Sequence, residues 1–341
     1  MNKALNQKTI LVTGASGFIG QNLVGRLLDL GHRVRSIGRS SSLPKHLAAL
    51  NIEHHPCDIT NPEQVDAAVS GCELVFHLAG LVSYRNSDRV RQYAVNVLGT
   101  RNVMQACLKS KIKRVIHASS IAALGIPEPG ELGSEDIQYN LAGLGLTYCD
   151  TKHEAELEVW KSYQNGLDVV ILNPGIIFGE GDTHPHHHAI FAAMSKGWLI
   201  GVPAGGVTFS DINDVVDAHI KSIERGKSGQ RYVVGSANLS FKEAANVFAA
   251  VNGKNAKVFE IPGHLLVKLG TLSERLLPCF GINPPLTRQA AWLSQHQIFF
   301  SSDKAIRELD FKQTPFEDTI RRTAAYYLGQ TPATQYQPQD A

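Results

Sequence analysis

A chain of 341 residues, 43% hydrophobic and only 19% charged, has the apolar content to bury a large core and too little charge to be disordered. Its formal net charge is +2 with no block of Lys or Arg, which excludes nucleic acid as a partner. Five widely spaced cysteines, Cys57, Cys72, Cys107, Cys149 and Cys279, contain no Cys-x-x-Cys pair, which excludes a disulfide framework or a zinc site.

The polar start MNKALNQ is not a signal segment, and no apolar run of about 18 residues occurs, so a cytoplasmic protein without a membrane span is expected. Lys8 to Gly20, KTILVTGASGFIG, then reads as a strand over Ile10, Leu11 and Val12, a tight turn, and a helix running on from Gln21 to Leu30. Gly14 permits backbone angles that a side chain would forbid. Gly17 lets a pyrophosphate approach the main chain, and Gly20 lets helix pack on strand. The helix N-terminus then offers free N–H groups to phosphates.

Strands are expected at Arg33–Gly38, Ile52–Pro56, Leu74–Leu78, Arg114–Ala118 and Asp168–Leu172, with a helix from Val90 to Lys109 and another after Tyr148 through Val159 and Trp160. Strands separated by helices pair in parallel through right-handed crossovers, so the fold class is α/β, a doubly wound parallel (Rossmann) sheet with a smaller C-terminal substrate lobe. Gly14, Arg39, Asp58, Gly80 and Ser120 all fall at or just past the carboxyl ends of strands, where ligands bind in such sheets.

From Gly179 to Gly206 the chain is rich in Gly, Pro and His, and Phe209 to Ile220 reads as a loop entering a helix. A strand follows at Arg231–Val234, then helices at Phe241–Val251 and His264–Leu277, and a Pro-containing loop at Asn283–Leu286. This divides the chain into a dinucleotide-binding domain, residues 1–178 with 207–235, and a substrate lobe, residues 179–206 with 236–330. The polar tail, residues 331–341, is expected to be disordered.

Chemistry concentrates in YCDTK, where Tyr148 and Lys152 share one helix face. A nearby ammonium favours the phenolate, which suits Tyr148 to acid and base work; in isolation the same pair reads rather as a surface Tyr and Lys, and the catalytic reading wins only beside the glycine turn and the strand-end serine. The cluster His184, His186, His187 and His188 is read as a loop near the substrate mouth rather than a metal site, since consecutive residues rarely converge on one ion. Cys149 reads as a small core residue. Leu265, Leu266, Leu269, Leu272, Leu276 and Leu277, interrupted by Lys268, Glu274 and Arg275, read as an amphipathic helix covering an apolar pocket.

TGASGFIG, DIT at Asp58, HLAG at His77, VNVLGT around Asn96, HASSIAALG, YCDTK and NPGIIFG, in this order, resemble the extended short-chain dehydrogenases/reductases over Lys8 to Leu328. Within that superfamily, GQRYVVGSANLSFKE, PPLTRQAAW and FFSSDKAIRELDF resemble the dihydroflavonol-reductase-like and hydroxysteroid-dehydrogenase-like branch. The resemblance implies that Tyr148 is the proton donor and that Lys152 holds the ribose and lowers the phenol's pKa. It implies that Ser120, with Ser119 the runner-up, hydrogen-bonds the reacting oxygen. Asn96 would shape the active-site helix and its proton relay, or serve as a helix-interior hydrogen bonder. For the cofactor it implies Gly14, Ser16, Gly17, Phe18, Ile19 and Gly20 at the phosphates, Asp58 and Ile59 at the adenine, and Leu78, Ala79 and Gly80 on the adenosine ribose side. Asn173, Pro174, Ile176 and Ile177 would approach the nicotinamide.

The second strand ends in Gly38 and Arg39, where an Asp or Glu would bind the ribose hydroxyls of NAD. Arg39 therefore favours NADP(H) over NAD(H), with Lys45 a second cation and Ser40 a hydrogen-bond donor. The family's usual glycine-proline-glycine-aspartate turn is Gly179, Glu180, Gly181, Asp182 here; loss of the proline is expected to free the turn and add a carboxylate beside the substrate lobe. The expected activity is NADP(H)-dependent reduction of a ketone or aldehyde on a moderately large, largely apolar small-molecule substrate, by a homodimer. An NDP-sugar epimerase or dehydratase with tightly bound NAD and a noncatalytic nucleotide sensor are the alternatives. The substrate pocket is expected to be lined by Val82, Leu124, Ile126 and the His184–His188 loop.

Overall fold

The computed structural model describes residues 7–182, 200–253 and 257–327. Strands β1 (Thr9–Thr13), β2 (Arg33–Gly38), β3 (Glu53–Pro56), β4 (Leu74–His77), β5 (Arg114–Ala118) and β6 (Val169–Pro174) are followed by β7 (Ile176–Phe178), β8 (Ile200–Pro203) and β9 (Gly206–Asp211). After them come β10 (Gln230–Val234), β11 (Ala237–Ser240), β12 (Val258–Ile261) and β13 (Gln297–Ile298). Helices of the first half are α1 (Phe18–Asp29), α2 (Lys45–Ala48), α3 (Pro62–Val69), α4 (Arg89–Gln92), α5 (Gly99–Lys109) and α6 (Thr147–Gln164). Those of the second half are α7 (Ile212–Lys221), α8 (Phe241–Val251), α9 (Gly263–Leu276), α10 (Arg288–Leu293), α11 (Asp303–Leu309) and α12 (Phe316–Tyr327).

Seven strands form one parallel sheet in the order β10-β6-β5-β4-β1-β2-β3, a doubly wound Rossmann arrangement. Its strands are apolar on both sides because both faces are covered. One face packs Val65 of α3, Met104 of α5 and Val159 of α6 onto Leu11, Val75 and Val115. The other packs Leu23 and Leu27 of α1, Val215 of α7 and Leu309 of α11 onto Ile10, Phe76 and Tyr232. All seven carboxyl ends lie on one edge, so the residues that follow Thr13, Gly38, Pro56, His77 and Ala118 are neighbours there.

A second sheet runs β11-β9-β13 with β7 also paired to β9. Strand β7 and, from Val207 onward, strand β9, grouped with the dinucleotide-binding part in the sequence division, hydrogen-bond in this second sheet. Its core is aromatic: Phe178 meets Phe248 of α8 at 5.3 Å, and Phe209 meets Phe316 of α12 at 4.8 Å, centroid to centroid.

Three expectations are corrected. Helix α1 begins at Phe18 rather than Gln21, because Gly17 already takes the extended N-cap conformation. The single helix expected from Val90 to Lys109 is interrupted by a π-helical segment, Tyr93–Leu98, between α4 and α5. Phe209 to Asp211 is the end of a fully buried strand, not a loop, because its polar side chains find partners: Ser210 donates to the Val234 carbonyl at 2.8 Å and Asp211 caps α7.

Candidate active site

The glycine turn is built by crowding. Gly14 has φ +68°, and a Cβ there would sit 2.8 Å from the Ala79 nitrogen. At Gly20 a Cβ would meet the Gly14 carbonyl oxygen at 2.2 Å, so α1 packs directly on the turn. Ser16 and Gly17 are exposed, and Gly17 caps α1 with no side-chain bond and no acidic residue in the first turn. The resulting rim of unclaimed N–H groups fits a pyrophosphate. Phe18 and Ile19 instead turn inward and pack against the core.

Past β2, Arg39, Ser40 and Lys45 are exposed. The Ser40 carbonyl lies 2.9 Å from Nε2 of His54, whose Nδ1 lies 2.9 Å from the Ser36 hydroxyl, so one β3 histidine ties this loop to its strand. At the end of β3, the Thr60 N–H holds the Asp58 carboxyl below its ordinary value, aided by the Thr60 hydroxyl and by the charges of Arg39 and Arg91. Ile59 is buried under Gly99, where a Cβ would strike it at 2.6 Å. Arg91 and His54 carried no signal in the sequence, since each depends on a neighbour far along the chain.

The loop after β4 is fixed from both sides. Thr13 Oγ1 accepts from the N–H groups of Leu78 at 3.1 Å and Ala79 at 3.0 Å, which leaves its own hydrogen for His77 Nδ1 at 2.8 Å. Asn96, in the π-helical segment, grips Leu81 through both backbone groups, accepting its N–H at 2.7 Å and donating to its carbonyl at 3.0 Å. The same amide donates to Thr151 on α6 at 3.1 Å. Gly80 lies between these groups, and a Cβ there would be 3.5 Å from both Asn96 Oδ1 and Lys152 Nζ.

Tyr148 and Lys152 sit on successive turns of α6, and both are buried. Burial pushes the Tyr148 phenol up to about 12, and a hydrogen bond from the Ser120 hydroxyl pulls it back. Burial pushes the Lys152 ammonium down to about 8, while Glu156 one turn further draws it up. The Lys152 ammonium donates to the Ala118 carbonyl at 3.0 Å, at the end of β5. Ser120, whose Oγ also accepts the Ala122 N–H at 3.2 Å, is the serine brought to Tyr148. Ser119 is buried and its hydroxyl has no partner among the described residues. Cys149 is buried and its thiol is pushed up to about 12, chiefly by burial, which makes it unreactive.

Behind Ser120, Asn173 at the end of β6 donates to the Ser120 carbonyl at 2.9 Å and to Glu156 at 2.6 Å. Glu156, fully buried, pairs with Arg231 at 3.2 Å. Its position one turn after Lys152 was a readable signal. Pro174 closes β6, and Ile176 and Ile177 are half-buried on β7, held close to β9 because a Cβ on Gly175 would lie 2.0 Å from the Thr208 carbonyl oxygen.

The Gly179–Asp182 turn is not freed by the missing proline. Gln21 on α1 donates to the Gly181 carbonyl at 2.5 Å, and the Glu180 carboxylate pairs with Arg322 of α12 at 3.1 Å. Arg322 also pairs with the buried Asp211, so the added carboxylate is neutralised within a network.

On the substrate side, Tyr84 stands edge-on to Tyr148 with ring centroids 5.5 Å apart, a neighbour the sequence did not reveal. Val82 is exposed, but Leu124 is fully buried in the core of the second sheet. Ile126 borders a shallow surface hollow with Glu128 and Asn140. His184, His186, His187, His188 and the 331–341 tail lie outside the described residues. Among the described residues no cluster of three His, Cys, Asp or Glu is placed to hold a metal ion, and no helix is long and apolar enough to cross a membrane. The leucines of α9 do not cover a pocket as a set. Leu266 is buried, but Leu265, Leu269, Leu272 and Leu276 are exposed.

Residues 10–235 match the NAD dependent epimerase/dehydratase family. A Synechocystis protein that bears the name dihydroflavonol 4-reductase is 30% identical, over 91% of this chain and 91% of its own. The 3 beta-hydroxysteroid dehydrogenase/Delta 5→4-isomerase of Mycobacterium tuberculosis is 30% identical over 89% of this chain and 85% of its own. Among solved structures, gox2253 superposes with a TM-score of 0.81 at 29% identity, covering 95% of this chain and 99% of that one.

Proposed function

The chain belongs to the NAD dependent epimerase/dehydratase family and is an NAD(P)-dependent enzyme of the extended short-chain dehydrogenase/reductase type; from that premise we propose that it reduces a ketone or aldehyde on a moderately large, largely apolar molecule, using NADP(H). One arrangement carries the reading: Ser120 at the end of β5 is the serine brought beside the buried Tyr148 phenol, with buried Lys152 one turn further on the same helix, on the sheet edge that also holds the glycine turn.

The uncapped rim at Ser16 and Gly17 would hold the pyrophosphate, Arg39 the 2′-phosphate, and Lys152 the nicotinamide-side ribose. When bound, the nicotinamide supplies the hydride to the carbonyl carbon. The residues do the rest. Tyr148 stays protonated at neutral pH, since burial raises its pKa to about 12, and can therefore give its proton to the carbonyl oxygen. The phenolate left behind is stabilised by the Ser120 hydroxyl and by the Lys152 charge on the same helix face. Asn96 holds the Leu81 backbone that borders this centre. The names of the two relatives, one for a dihydroflavonol and one for a hydroxysteroid, support a polycyclic, largely apolar substrate, as does Tyr84 standing over Tyr148.

NADPH consumption measured with a panel of cyclic ketones and aldehydes tests the reading. Turnover that Tyr148→Phe abolishes supports it. A protein that purifies with stoichiometric NAD and turns over only sugar nucleotides is an epimerase instead, and one that binds nucleotide without turnover on either panel is a sensor. A homodimer in the cytoplasm belongs to the same proposal; sedimentation velocity and cell fractionation check these two parts.

A further inference from the structure

Helix α9 presents Leu265, Leu269, Leu272 and Leu276 to solvent at 44%, 45%, 53% and 47% exposure, and Phe280 in the short turn beyond it is 75% exposed. Their spacing places the four leucines in one stripe along the helix. The stripe is not what anchors α9. Leu266 and Gly270 do that from the other side, where a Cβ on Gly270 would come within 2.7 Å of the Thr287 carbonyl oxygen.

The charges around the stripe are of one sign. Lys268 and Arg275 are exposed along its edge. Glu274, the sole carboxylate of α9, is turned away and accepts the Arg288 N–H at 3.0 Å. Leucines in a row with long cationic side chains at their margin match a helix lying in the plane of an anionic bilayer surface, leucines among the acyl chains and cations at the headgroups. The stripe also leads somewhere. Glu274, Pro278, Gly281 and Ile282 form one wall of a cleft of about 390 Å³ whose opposite wall is Arg85 to Ser87. Arg85 bridges the walls by donating to Asn283 at 2.6 Å, and its chain neighbour Tyr84 meets Tyr148.

We propose that the exposed face of α9 docks on an anionic lipid surface, setting the Arg85–Ile282 cleft at the bilayer so that an apolar substrate enters from the lipid. The docking stands on the surface alone; only the substrate route rests on the reductase reading.

Flotation with vesicles of phosphatidylcholine containing phosphatidylglycerol tests the docking without any turnover. The full chain is expected to float with these vesicles, to float less with phosphatidylcholine alone, and to lose binding as salt rises. Leu269→Gln and Leu272→Gln should each weaken binding about tenfold, since a buried leucine is worth at least a decade of equilibrium constant. Unchanged NADPH binding and an unchanged melting temperature show that these variants fold. A native protein that stays in solution overturns the proposal, as do variants that float like the native chain. A soluble dimer broken by the same substitutions, with no flotation, assigns the face to a second copy and also overturns it. Flotation by a protein that reduces nothing upholds the docking and rejects the reductase reading.

Discussion

Asn173 donates to Glu156 across 2.6 Å, joining the end of β6 to α6 directly behind Ser120. The same carboxylate, itself buried, pairs with the partly buried Arg231 at 3.2 Å, so its removal leaves that guanidinium only the Glu135 and Ile137 carbonyls and leaves Asn173 without its acceptor. Glu156→Ala is expected to cost about 3–5 kcal/mol, read as a fall in melting temperature of roughly 10 °C. Glu156→Gln keeps the shape but removes the charge that draws the Lys152 pKa up. The alkaline limb of the pH–rate profile should therefore move to lower pH in Glu156→Gln. An unmoved limb in a folded variant would show that the carboxylate acts only as a brace.

Lys152 itself costs stability. Burial holds its pKa at about 8 against an ordinary 10.5. Between those values the unfolded chain binds the proton and the fold does not, so this group's contribution to stability rises with pH across that window. Below it both states are protonated, and the full cost of burying the charge is present. Lys152→Met is thus expected to stabilise the protein at pH 7 by roughly 1–3 kcal/mol while abolishing turnover. Thermal melts at pH 7 and pH 10 check it: the advantage of the variant should shrink at the higher pH, and a variant less stable at both would sink the argument.

The first half of the fold was legible because its strands are apolar runs and its helices are periodic, each a local pattern. In the second half β10, α8 and α9 were legible for the same reason, and the second sheet was not. Strands β7 and β13 are only three and two residues long, and β9 carries Thr208 and Ser210 in a buried strand, polar residues whose partners Asn238 and Val234 lie some way along the chain. The site divides in the same way. The turn glycines were readable from spacing, Tyr148 and Lys152 from spacing taken together with that turn, and Ser120 from the family resemblance. Thr13, Tyr84, His54 and Arg91 were not, because what each does is decided by a contact between segments distant in sequence. The α9 leucines were read correctly as amphipathic, yet periodicity shows that a helix has an apolar face and not whether anything covers it.

Two glycines on one helix separate packing from propensity. A Cβ on Gly20 would lie 2.2 Å from the Gly14 carbonyl oxygen and 2.7 Å from the Ala15 Cα, both backbone atoms that can yield only by opening the turn. Gly20→Ala should destabilise by about 2–3 kcal/mol and raise the Kd for NADPH more than tenfold. Five residues on, Gly25 has nothing within 4 Å of a Cβ. Gly25→Ala should stabilise by about 0.5–1 kcal/mol with NADPH affinity unchanged. Paired melts and cofactor titrations check both, and equal behaviour of the two variants would contradict the crowding argument.

Cofactor choice turns on Arg39, exposed past β2 on a loop that His54 ties to Ser36. A guanidinium facing a 2′-phosphate makes charge-assisted hydrogen bonds that the plain ribose hydroxyl of NADH cannot replace. Such bonds are worth about 1.5–3 kcal/mol, so Arg39→Ala should raise the KM for NADPH roughly tenfold to a hundredfold while leaving that for NADH unchanged. His54→Ala removes the tie but not the cation, and should give a smaller rise for NADPH alone. Arg39→Asp places a carboxylate where ribose hydroxyls are bound in NAD enzymes and should invert the preference. Steady-state kinetics with both cofactors check all three variants. A native enzyme that favours NADH, or an Arg39→Ala variant that loses both cofactors equally, would assign Arg39 to the solvated surface.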